Sequence, residues 1–244
     1  MKHKKTIRIV VISILIPTVI FMTLAYVTFQ AVMHMGSEQI QTKVKNYNTL
    51  TSTSPRHATV FFGDSITELY PLEDFYSDYV IETKTPVLNR GISSEKTASM
   101  LARLEKEIIP LHAKHLIMLM GINDIFDGIK PEEIAHHIEE MIVMMKEKSP
   151  ETRLILQAIY PINEQDRDSF YEKLMMKGNG NESVQKTNEL LEALAKKHDI
   201  TFLNINPLLS DENGNLKHAY AYDGLHPNAS GYRIISDEIK KMIK

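Results

Sequence analysis

The stretch His57–Tyr70, HATVFFGDSITELY, decides how this chain is read. A β-rich apolar run, Thr59–Phe62, stops at Gly63-Asp64-Ser65 and passes into residues that suit a helix. A serine in that place is either an N-cap, its oxygen accepting a backbone N–H, or a nucleophile held at the end of a strand. The neighbouring residues leave both readings open.

Short apolar runs recur at Pro86–Asn89, Leu116–Met120, Leu154–Ile159 and Ile200–Asn204. Strands this uniformly apolar belong to a sheet covered on both faces. Amphipathic stretches separate them. Ser94–Ile109 places Met100, Leu101, Leu104 and Ile108 on one stripe, and Pro131–Lys148 opens with proline at a first helical position. Asn181–His198 and Ser230–Lys244 complete the set. Strands alternating with helices imply parallel pairing, right-handed crossovers and a doubly wound α/β sandwich. The working edge of such a fold lies beyond the carboxyl ends of the strands. Residues 161–180, between the fourth strand and the next helix, form a connection long enough for a binding loop or lid. A short irregular helix at Asp166–Met176 is the plainer reading.

Composition narrows the function. The chain holds no cysteine, which excludes disulfide scaffolds, thiol nucleophiles and thiolate metal sites. It carries 28 Lys and Arg against 31 Asp and Glu, and Lys2, Lys4, Lys5 and Arg8 all precede the first acid, Glu38. The body is therefore net acidic, which argues against a nucleic-acid partner. No formally charged residue lies between Ile9 and Ser37. A run of that length fits a bilayer core of about 30 Å. Residues 1–36 thus read as a basic start and an uncleaved transmembrane anchor, with the N-terminus cytoplasmic and the remainder extracytoplasmic. Thr23-Leu24-Ala25 offers a poor cleavage site as the alternative, a secreted product. Residues 37–56, rich in Ser, Thr and Asn, read as a polar stalk. The domain then occupies 57–244.

Four features fall at the expected strand ends: Ser65 after the first, Gly91 after the second in LNRGISSEKT, Asn123 after the third in LMGINDI, and Asp223 with His226 in YDGLHPNASGY. Together they meet the needs of acyl transfer. A serine hydroxyl needs a base as it attacks, and His226 can be that base. Asp223, three residues earlier, can fix its tautomer and stabilise the imidazolium. The Ser65 backbone N–H, a Gly91 N–H and the Asn123 side-chain amide can serve as oxyanion donors. Asp64 reads as a residue bonding the turn backbone, and Asp124 as a helix cap or loop anchor. His136-His137 are adjacent and so point about 100° apart on a helix, where metal ligands are expected four residues apart. They read as a solvated face. The 13 methionines read as core filling.

In order and spacing, FFGDSITELY, LNRGISSEKTASMLARL, LIMLMGINDI and YDGLHPNASGY resemble the four blocks of the SGNH (GDSL-type) hydrolase superfamily. The resemblance covers residues 57–244. It implies a flavodoxin-like α/β/α sandwich with a five-stranded parallel sheet, Ser65 as nucleophile, His226 as base, Asp223 as its partner, and Gly91 and Asn123 as oxyanion-hole members. It implies no metal and no organic cofactor. Ser94-Glu95 stand where relatives often show Gly-Asp. The expected activity is that of a serine esterase acting on small acyl esters, with cell-wall glycans or lipids as candidate carriers. The same triad also allows an extracytoplasmic O-acyltransferase, and the same fold a non-catalytic surface binding module.

Overall fold

The computed structural model describes residues 2–165 and 180–244. The chain divides into two compact units, one ending at Lys43 and one spanning Val44–Lys244. In the first lies most of helix α1 (Lys2–Thr51), whose large apolar side chains from Leu15 to Val32 are exposed. The helix is long and apolar enough to cross a membrane, a test that a signal sequence also passes.

The polar stretch 37–56, expected as a stalk, differs from that reading: it is helical through Thr51, and from Val44 onward it belongs to the second unit. The physical reason is a three-and-four spacing. Val44, Tyr47, Asn48 and Thr51 share one face and are partly or fully buried. The Thr49 hydroxyl returns to the Lys45 carbonyl, while the Thr51 hydroxyl is shared between the carbonyls of Tyr47 on its own helix and Glu107 elsewhere in the second unit.

The second unit is built on five parallel strands: β1 (Thr59–Gly63), β2 (Val87–Gly91), β3 (His115–Leu119), β4 (Arg153–Gln157) and β5 (Thr201–Leu203), in the order β2-β1-β3-β4-β5. Val60, Phe62, Leu116, Met118, Leu154 and Leu156 point to one face, and Phe61, Ile117 and Ile155 to the other; all are buried. Helices α4 (Thr97–Glu107), α6 (Pro131–Lys148) and α7 (Gly180–Lys197) pack side by side, and α3 (Leu72–Thr83) and the short α8 (Asn206–Leu209) pack with α9 (Ala229–Ile243). The five-stranded sandwich expected from the sequence is the observed fold. Its order reverses beside β1, so the crevice of the doubly wound sheet opens where β1 and β3 end. The register places Gly63 opposite both Gly91 and Leu119, which brings three strand ends level.

Two short helices follow strands at that edge, α2 (Ser65–Glu68) and α5 (Ile122–Phe126). Asp64 is the N-cap of α2, its carboxylate accepting the Ile66 N–H at 3.0 Å. Ser65 is therefore the first helical residue and its hydroxyl is not used for capping. From the other side Tyr232, on α9, donates its hydroxyl to the Ile66 carbonyl at 2.7 Å and stacks on Tyr70 at 4.4 Å. Tyr70 in turn bonds Ser236 at 2.6 Å.

Asp64 is 1% exposed and its Oδ2 has no hydrogen-bond partner among the described residues. Burial pushes its carboxyl up to about 7, against the lowering effect of the Ile66 amide. An acid with a raised folded pKa adds stability in full below the ordinary 3.8, and that contribution is lost as pH rises towards about 7. Asp64→Asn keeps the acceptor for Ile66, so thermal unfolding should show a shallower fall in its midpoint across that window than the wild type. An identical profile would show that Asp64 is ionised throughout. Tyr232→Phe should cost roughly 1–3 kcal/mol in urea unfolding with an unchanged slope, because the Ile66 carbonyl loses its buried partner.

Candidate active site

The Ser65 hydroxyl stands at the carboxyl edge of β1, 2.9 Å from His226 Nε2, and His226 Nδ1 lies 2.6 Å from Asp223 Oδ2. The second Asp223 oxygen accepts the backbone N–H groups of His226 and Leu225 at 2.7 and 3.0 Å. Partial burial raises the Asp223 carboxyl, and the His226 amide, the His226 ring and the Leu225 amide together outweigh it, leaving the group below the usual carboxylate range. With the Nδ1 hydrogen donated to that carboxylate, Nε2 is left to accept the Ser65 proton.

Asp223 and His226 can share one point because the turn between them is tight. Gly224 has φ of 75°, a conformation in which glycine meets no steric penalty. Its carbonyl accepts the Asn163 N–H at 2.7 Å, tying the turn to the segment after β4. Asn228 caps α9 through Ser230 and Gly231, and its amide donates to the Ala219 carbonyl, so the turn is fastened at both ends. Tyr222, 60% exposed, stacks on the His226 ring with centroids 5.9 Å apart, a neighbour the sequence reading did not anticipate.

The expected oxyanion donors fare differently. Gly91 donates its N–H to Asn89 Oδ1 at 2.9 Å, so that amide is already committed. A Cβ at Gly91 would come within 2.2 Å of the Glu68 backbone nitrogen. The close packing of β2 on α2 accounts for a glycine here, and the Gly91 N–H faces the Asn89 side chain. Ser94, three residues on, is exposed and has φ of 63°, the left-handed region that glycine favours. Its N–H meets no acceptor among the described residues. The Ser94-Glu95 departure in the sequence marks this same position. Asn123 donates one side-chain hydrogen to the Glu95 carbonyl at 3.0 Å, which leaves its second hydrogen for a ligand. The Ser65 N–H, at the start of α2, has no acceptor among the described residues either.

Asp124 accepts the N–H and hydroxyl of Thr97, at 3.0 and 2.6 Å, so it caps α4 from a neighbouring helix. His137 differs from the solvated pair expected of it: it is half-buried, with Nδ1 2.9 Å from the same Thr97 hydroxyl, while His136 is exposed. Among the described residues no group of three His, Asp or Glu side chains is placed to hold a metal. The lid expected at 161–180 and the short helix at Asp166–Met176 lie, apart from Pro161–Gln165 and Gly180, outside the described residues.

A chain of serine, imidazole and carboxylate, with uncommitted N–H donors beside it, is equipped to add a hydroxyl to a carbonyl and hold the resulting oxyanion. Residues 61–234 match the model of the GDSL-like Lipase/Acylhydrolase family. The isoamyl acetate-hydrolyzing esterase of Saccharomyces cerevisiae is 24% identical over 204 residues, covering 76% of this chain and 85% of that enzyme. An Escherichia coli N-acylneuraminate cytidylyltransferase is 27% identical over 157 residues, 63% of this chain, which spans 33% of that longer protein. A solved structure from Streptococcus pneumonia, described as a platelet activating factor, superposes with a TM-score of 0.79 at 26% identity, over 89% of this chain and 98% of its own. The family match spans most of the chain, and the site lies within it: the protein belongs to the GDSL-like lipase/acylhydrolase family of the SGNH superfamily and is a carboxylic-ester hydrolase.

Proposed function

We propose that this hydrolase is a serine esterase that releases small acyl groups through an acyl-Ser65 intermediate. The observation that carries the reading is the Ser65–His226–Asp223 chain, with its 2.9 and 2.6 Å contacts. Ser65 Oγ adds to the ester carbonyl while His226 Nε2 takes its proton and the Asp223 carboxylate stabilises the imidazolium. The oxyanion is met by the Ser65 N–H, the Ser94 N–H and the free hydrogen of the Asn123 amide. Collapse expels the alcohol, protonated by His226. Water, deprotonated by the same imidazole, then attacks the acyl-serine and frees the acid and Ser65. The likeness to an enzyme that hydrolyses isoamyl acetate supports an acetyl-sized acyl group.

The setting supports an extracytoplasmic substrate. A basic start followed by an apolar helix long enough to span a bilayer reads as an anchor with its N-terminus inside. On that reading the esterase faces acetylated glycans or lipids at the cell surface.

Ser65→Ala should abolish both p-nitrophenyl acetate hydrolysis and labelling by a fluorophosphonate probe, and Asp223→Asn should lower kcat by about 10⁴-fold. Retained labelling in Ser65→Ala would place the nucleophile elsewhere. A wild-type product mixture dominated by acyl transfer to an added sugar would replace water with a sugar hydroxyl as the acceptor. The two oxyanion assignments separate cleanly. Asn123→Ala should lower kcat by about 10²–10³-fold with little change in folding. Gly91→Ala should instead lower the unfolding midpoint, since β2 must shift from α2; a stable Gly91→Ala protein with a selective loss of kcat would restore Gly91 to the hole.

A further inference from the structure

The loop between β2 and α4 carries Ser94, and it is held from several directions. Glu68 accepts the Ser93 N–H at 2.6 Å, Asn123 donates to the Glu95 carbonyl, and Asp124 holds Thr97. Below the loop, Arg103 grips both oxygens of the Glu95 carboxylate, Oε1 through Nε at 3.0 Å and Oε2 through Nη2 at 2.7 Å, with both side chains at most 2% exposed. Arg103 also bonds Glu107 at 2.5 Å and the Arg90 carbonyl at 2.9 Å, and its guanidinium lies 4.5 Å from the Phe62 ring centroid.

Burying such a pair costs desolvation that its attraction often only offsets, so well-packed apolar residues would stabilise the site as well. What an apolar pair cannot supply is direction. The planar guanidinium fixes the carboxylate at two points, and Glu95 is the residue whose carbonyl orients Asn123. The network continues into the last turns of α1. Arg90 lies 4.9 Å from the Tyr47 ring centroid and donates to Ser54 at 2.7 Å. Tyr47 donates to the Gly91 carbonyl at 3.2 Å, and Thr51 to the Glu107 carbonyl at 3.0 Å.

We infer that Glu95, Arg103 and Tyr47 are positioning residues of the esterase: the buried ion pair, braced by the end of α1, holds residues 93–96 so that the Ser94 N–H and the Asn123 amide face the developing oxyanion. The inference rests on the serine-esterase reading above. None of the three touches a reacting atom, and they act by keeping donors in place.

The test uses the full-length chain in detergent micelles, p-nitrophenyl acetate as substrate, and fluorophosphonate titration to count competent sites. Per titrated site, Glu95→Gln and Arg103→Lys should lower kcat about 10- to 100-fold with KM changed by no more than about twofold. A trifluoromethyl ketone, which presents an oxyanion to the same donors, should weaken in parallel. Tyr47→Phe, which removes one half-buried hydrogen bond and keeps the ring, should lower kcat about threefold or more in the same manner and decides the matter if the ion-pair variants do not fold. A purely structural role predicts fewer titratable sites with wild-type kcat at each, and that result overturns the inference alone. A wild-type protein that fluorophosphonate does not label overturns the esterase reading, and this inference with it.

Discussion

At the carboxyl end of β1 the backbone leaves no space for a side chain. A Cβ on Gly63 would lie 2.2 Å from both the Leu119 carbonyl oxygen and the Thr67 hydroxyl. That closeness lets α2 start immediately against the flanking strand, and everything at the crevice inherits its position from it. Ser65 is level with the ends of β2 and β3, within reach of His226 on the turn before α9. The Gly63 carbonyl also accepts the Ile92 N–H at 3.0 Å, so the loop that carries Ser94 begins in register with β1.

Around this point the protein concentrates buried carboxylates: Asp64, Glu95, Glu107 and Asp124 are each at most 2% exposed. Each would be costly alone. Asp64 meets the start of α2, Asp124 the start of α4, and Glu95 and Glu107 share Arg103. Burial raises all four, most clearly Asp64 and Glu107, each to about 7. Asp223 is the contrast. It is more exposed and richer in donors, and it is the carboxylate kept ionised beside the imidazole.

Much of this was legible in the sequence because period and order report on topology. Apolar runs short enough for strands alternated with amphipathic stretches, and all five strands fall within a few residues of those runs. The Asp-x-x-His spacing was enough to place Asp223 and His226 on one turn. What spacing could not show is which amide at a strand end is already bonded: the Asn89 side chain, two residues before Gly91, takes the N–H that the motif offered. The serine at 94 stands where the resemblance implies glycine, and its φ of 63° is a conformation that glycine favours. Helix α3 was missed although Leu72, Tyr76 and Tyr79 stand at i, i+4 and i+7, because two of the three are tyrosines set among acids and hydroxyls and do not read as an apolar stripe. The end of α1 was missed because Ser, Thr and Asn gave it the composition of a linker, although its buried positions follow a helical period.

That continuation of α1 decides where the chain can be cut. A protease that cuts ahead of Val44 would release the whole second unit with a helical stub attached. One that cuts between Tyr47 and Ser54 would strip away the partners of Arg90 and of the Gly91 and Glu107 carbonyls. A fragment that keeps the second unit's contacts must therefore include the last turns of α1.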